Sequence, residues 1–196
     1  TAIRRQRQMC IRDRYWGAVS HGLGLSAKQN YDITKMKDMA AADQNKDGVV
    51  DLKSEYNFAH AYYASSFDKG GKTNYYNTVT QAFLDGRKII AGAKGEKLSS
   101  SEKAALQGHI AVINANWEKV IAESVFKYAG SVYKDIVKLE ENYSDKAFST
   151  YAKHWGELKG FALALQTGKS NLGETAVKLN RLTGMGPVLM LSLIHI

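Results

Sequence analysis

The chain has 196 residues, 27 Lys and Arg against 19 Asp and Glu, a formal charge of +8, one Pro and one Cys. A basic balance of this size ordinarily points to a nucleic-acid or anionic-membrane partner, but residues 1–14 hold five Arg and one Asp, half of the excess. The remaining Lys are scattered among Asp and Glu, which argues against nucleic-acid binding, and Cys10 lies in the same segment, so the rest of the chain has no thiol for catalysis or disulfides.

That first segment, "RRQRQMCIRDR", is a run of Arg and Gln with no apolar period, and the last, "LSLIHI", is an apolar scrap beyond a helix stop. Both resemble translated adapter read-through from assembled environmental DNA. Residues 1–14 and 191–196 are therefore set aside, and 15–190 is expected to form a single helical domain that is itself a fragment. About 175 residues suffice for one domain with a real core, and no run reaches the ~20 apolar residues of a membrane span.

Helical periodicity runs nearly throughout, with abundant Ala, Lys, Leu and Glu and few alternating β-branched runs. Helices are predicted at 15–24, 32–42, 53–67, 73–92, 99–139, 145–166 and 172–182. Short polar links such as "DKGGK" (68–72), "AKGEK" (93–97) and "ENYS" (141–144) make sequential antiparallel neighbours. The expected fold is an all-α, up-and-down helical bundle with one calcium-binding-type loop.

The first helix carries "RYWGAVSHGLGLSA". After the second comes "DQNKDGVVDLKSE", where Asp43, Asn45 and Asp47 place oxygens at positions one, three and five, Gly48 stands at six and Asp51 at nine. This resembles an EF-hand or dockerin-type calcium loop. Alternate residues of a tight loop aim their oxygens at one centre, and Gly at six allows the turn that brings in the Val49 carbonyl at seven. Position twelve is Ser54, with Glu55 one place later as the substitute carboxylate. The alternative is an ion-free Asn/Asp/Gly turn between helices. A solitary loop of this kind braces structure, with an affinity on the order of 10⁻⁴ to 10⁻³ M that suits an exported protein.

Further on, "LSSSEKAAL" supplies a capping box, Ser99 at the N-cap and Glu102 three residues later. Leu106, Ile110, Ile113, Trp117, Val120, Ser124 and Tyr128 then recur at spacings of three and four as a core stripe. Gly130 is expected to kink this helix or split it in two.

The next helix contains "KHWGELKGFALALQ", echoing the Trp-Gly of the first. His154, Glu157, Leu158, Phe161 and Leu165 share one of its faces. Burying Glu157 demands a partner. His154 and Glu157 are candidate transition-metal ligands, for zinc or iron, with other helices completing the shell. The alternative has His154 bonded to a backbone carbonyl or neighbouring carboxylate, and Glu157 to a Lys or Tyr. "RLTGMGP" ends the last helix, with Gly184 as left-handed cap and Pro187 beyond.

Three stretches, "YAKHWGELKGFALALQ", "ALQGHIAVINANWEKVIAESVFKYAGSVYKDI" and "NLGETAVKLNRL", are similar to a bacterial domain family of unknown function found in exported lipoproteins and related to the imelysin-like group. The resemblance spans Tyr15 to about Met190. It implies duplicated helix bundles outside the cytoplasm, often iron-regulated, with a Gly-x-His-x-x-Glu element. His154 and Glu157 match its His-x-x-Glu part, whereas residue 152 is Ala where the family has Gly. In the first copy Tyr15 and Ala18 stand at the ligand places.

An extracytoplasmic, calcium-braced binding or scaffold module is the expectation. It would engage a metal, an iron-related small ligand or a protein partner, and touch the membrane only through a lipid anchor outside this fragment. The alternatives are a metallopeptidase using His154 and Glu157, against which stand Ala152 and the absence of His-Glu-x-x-His, and a purely structural cell-surface module. Trp16, Trp155 and the many Tyr read as packing residues more than as a stacking surface. His109 and Glu123 lie too far apart on one helix to meet. No Glu-x-x-His pair, phosphate loop or Ser/His/Asp arrangement is legible.

Overall fold

The computed structural model describes Trp16, Lys28, Tyr31, Asp32, Asp43 and residues 46–50, 59–167 and 172–189. Among them the chain is all-α, with five helices and no strand: α1 (Ala59–Asp68), α2 (Tyr75–Gly92), α3 (Ser100–Glu141), α4 (Asp145–Thr167) and α5 (Gly173–Leu182). Each falls within a predicted helix or overruns it by one or two residues at an end. The predicted segments 15–24, 32–42 and 53–58 lie almost wholly outside the described residues. Lys28 and Tyr31 are helical ahead of the predicted start at 32, and Asp32 is helical at it. None of the described helices is long and apolar enough to cross a membrane.

Two compact units divide the chain between Val120 and Ile121, a boundary that falls within α3. In the first, α1 packs on α2, and Phe83, Val79, Val120 and Ala64 are fully enclosed. Trp16 is 1% exposed, lies 6.1 Å from Tyr76 and 5.6 Å from Trp117 between ring centroids, and donates its Nε1–H to Thr80 Oγ1 at 3.0 Å. A buried indole needs such an acceptor, and this packing role is the one its spacing predicts.

Helix α2 begins under a cap supplied by α1. Asp68, the last residue of α1, is buried. Its Oδ1 accepts the Tyr75 N–H at 2.9 Å and the Thr73 hydroxyl at 2.6 Å, and its Oδ2 accepts the Tyr76 N–H at 2.6 Å. Two of the four orphan donors of α2 are thereby satisfied. Asn74, at the N-cap position, makes no side-chain cap.

Helix α3 starts at the predicted capping box. Ser99 N–H donates to Glu102 Oε2 at 2.7 Å, and Glu102 N–H donates to Ser99 Oγ at 3.2 Å. The Ser99 hydroxyl and backbone hold the Glu102 carboxyl below its usual range. Leu106, Ile113 and Val120 are buried in the core of the first unit, with Ile110 and Trp117 packed against it, and Ser124 and Tyr128 are buried in the second unit. Of the kink or split expected at Gly130, the split does not occur: α3 runs unbroken for 42 residues. One glycine costs about 1 kcal/mol in a helix, less than the packing of flanking Val125, Tyr128 and Leu139 returns.

In the second unit α4 packs on α5. Tyr151, Trp155 and Lys159 stand four apart and so face one way. Trp155 Nε1–H donates to the Thr183 carbonyl at 2.9 Å, Lys159 Nζ to the Asn180 carbonyl at 3.0 Å, and Val188 N–H to the Tyr151 hydroxyl at 2.8 Å. Trp155 and Lys159 thereby satisfy two carbonyls at the C-terminal end of α5, while Tyr151 accepts from the segment beyond it. Gly184 sits at φ 71°, the left-handed cap that its sequence context predicts.

Candidate functional site

Asp43 anchors the described part of the acidic loop. Its Oδ1 accepts the Asp47 N–H at 3.2 Å, its Oδ2 accepts the Gly48 N–H at 2.8 Å, and Asp47 Oδ1 accepts the Val49 N–H at 2.8 Å. Gly48 adopts φ 84°, the left-handed step that favours glycine. Asp43 is half-buried, whereas Asp47, Gly48 and Val49 are exposed. A carboxylate offers about four lone-pair directions, so Asp43 keeps acceptor capacity beyond its two backbone bonds. Asn45, Asp51 and Glu55 lie outside the described residues. The geometry fits both predicted readings, a loop turned for a cation and an ion-free Asx turn.

The second candidate centres on His154. Its Nδ1 lies 2.6 Å from Asp135 Oδ2, a partly buried pair that joins α4 to α3. An ionised carboxylate only accepts, so Nδ1 carries the hydrogen of this bond, and whenever the ring is neutral Nε2 holds a lone pair. The imidazole is 27% exposed and Asp135 10% by side chain, so the ring edge reaches solvent while its orienting group does not. Tyr128 flanks the imidazole at 6.0 Å between centroids and stacks on Phe161 at 5.7 Å. Glu157 is partly buried, and among the described residues no hydrogen bond or ion pair reaches it. Of the two predicted outcomes for His154, the neighbouring carboxylate is the one found.

Among the described residues no three His, Cys, Asp or Glu side chains gather into a group that would hold a metal ion. Asp135 is the site residue that the His-x-x-Glu pattern does not announce. Its signal lies in the α3 stripe, where Tyr128, Asp135 and Leu139 continue the buried positions at steps of seven and four. A carboxylate on a core stripe needs a partner across the helix interface, and His154 is that partner.

Compared with models of known protein families, with curated proteins and with solved structures, the chain matches none.

Proposed function

We propose that this chain is an extracytoplasmic, imelysin-like helical binding or scaffold module braced by calcium in the loop from Asp43 to Glu55. One observation carries the reading. Asp43 takes backbone N–H bonds from both Asp47 and Gly48, with Gly48 left-handed, in the register Asp-x-Asn-x-Asp-Gly-x-x-Asp. In this reading Asp43, Asn45, Asp47, Asp51 and Glu55 would supply side-chain oxygens and Val49 its carbonyl, a hard-oxygen set suited to calcium. Adding calcium at ten times its dissociation constant is expected to raise stability by about 1.4 kcal/mol. Thermal melts of the chelator-treated protein against calcium test this. The rise should vanish in Asp47→Ala, and a melting curve indifferent to calcium removes the ion from the proposal.

A second reading, a transition-metal site at His154, is favoured by Asp135. Carboxylates on the far nitrogen of a ligating imidazole fix its tautomer and raise its basicity. His154 would bind zinc or iron through Nε2, with Glu157 as the second ligand of this chain. Asp135→Asn should weaken zinc affinity by about 10- to 100-fold, and His154→Ala should abolish it, as read by competition with a chromogenic chelator. Equal zinc affinity in all three proteins eliminates the site.

A further inference from the structure

The face of α3 opposite its buried stripe is apolar at its centre. Phe126 is 84% exposed and Tyr133 70%, with exposed Ala122 and Ala129 between and before them. The steps of four, three and four from Ala122 to Tyr133 form a seam of the kind that packs helix against helix. Large exposed aromatics at this spacing are costly on a free surface.

The seam is complementary to itself. Laid antiparallel about a two-fold axis between Lys127 and Tyr128, each large residue meets a small one: Phe126 opposes Ala129 of the second copy, and Ala122 opposes Tyr133. An isologous contact requires this reciprocity, whereas a parallel pairing would set Phe126 on Phe126 and Ala on Ala. The flanking charges agree with the same register. Lys119 and Glu140, both exposed, occupy the seam beyond the apolar centre. In the antiparallel register Glu140 of one copy lies one turn from Lys119 of the other. Helical side chains lean toward their own N-terminus, which tilts these two toward each other.

We propose that this α3 face binds a second copy of the chain, forming a symmetric antiparallel helix pair through Ala122, Phe126, Ala129 and Tyr133. Four side chains on one helix make a small patch against the roughly 1,200–2,000 Å² of stable interfaces, so association is expected to depend on concentration.

Sedimentation velocity of the full chain from micromolar to near-millimolar concentration should show a doubling of mass. Phe126→Glu should abolish that doubling, with its circular dichroism and melting temperature matching the parent's at concentrations where both are monomeric, because the side chain is exposed. Register is tested in a Cys10→Ser background. Mildly oxidised mixtures of Ala122→Cys and Tyr133→Cys chains should form mixed disulfides. Ala122→Cys alone should not, since its own copies would stand about 16 Å apart along the helix axis. A monomer at every concentration, a dimer that survives Phe126→Glu, or self-linked Ala122→Cys overturns the proposal. Monomers that co-sediment with phosphatidylcholine vesicles through Phe126 also overturn it, giving the face to a lipid surface.

Discussion

Replacing Asp68 by Ala should lower stability by about 3 kcal/mol, as read by urea denaturation followed by far-UV circular dichroism. The buried carboxylate accepts three hydrogen bonds, from the Tyr75 and Tyr76 backbone and the Thr73 hydroxyl. Bonds to a charged acceptor contribute about 1.5–3 kcal/mol each, and their sum is reduced where water reaches the freed donors. The Tyr76 N–H bond is buried, whereas the Thr73 and Tyr75 bonds are half-buried, so the backbone bonds, two of the three, carry most of the loss. The same change removes an anion from the N-terminus of α2, where the helix dipole favours it, and from the C-terminus of α1, where the dipole opposes it. These two terms nearly cancel. Asp68→Asn retains one acceptor oxygen and should lose about half as much. A shift below about 0.5 kcal/mol in Asp68→Ala, the range of an ordinary surface change, would mean that Asn74 or water replaces the cap.

The capped start of α3 and the left-handed stop at Gly184 were legible because their signals are local. Ser99 meets Glu102 three residues away, and Gly184 is free to take the left-handed φ of 71° that a helix stop needs. The stripe from Leu106 to Tyr128 was legible for a related reason, since periodicity alone sets which side of a helix faces the core. What stayed hidden are the polar residues whose partners lie far along the chain or on another helix. Asp68 reads as the opening of a solvated Asp-Lys-Gly-Gly-Lys link, yet it caps a helix that begins seven residues later. Asp135 and His154 are 19 positions apart, and only the pairing of two helices makes them neighbours. His60 gave no signal because Ala61, Ala64 and Ser65, which are buried beside it in sequence, look like any small-residue helix. Within the acidic loop the register was plain, while the conformation it adopts fits more than one occupant.

His60 should make the protein lose stability in mild acid. Its ring stacks on Trp117 at 4.0 Å between centroids, and its Nε2 is buried without a hydrogen-bond partner. Burial penalises the charged imidazolium and pushes the group from 6.5 down to about 4. Attraction between the imidazolium and the indole face opposes this, but at about 0.5–1 kcal/mol where exposed and about 2 where desolvated it is the smaller effect. The sign follows from proton counting. Above 6.5 neither the folded nor the unfolded chain holds the proton, so stability is fully present. Between 6.5 and about 4 the unfolded chain takes it and the native one does not, so stability falls as pH falls, and below about 4 the loss is complete. The full span corresponds to about 3 kcal/mol. His60→Phe keeps the stacking and removes both the titration and the orphaned nitrogen. Urea midpoints taken from neutral pH down to about the native value should therefore fall less steeply in His60→Phe than in the parent chain. The difference between the two profiles cancels the carboxylates they share, and parallel profiles would show that His60 reaches water or a partner when protonated.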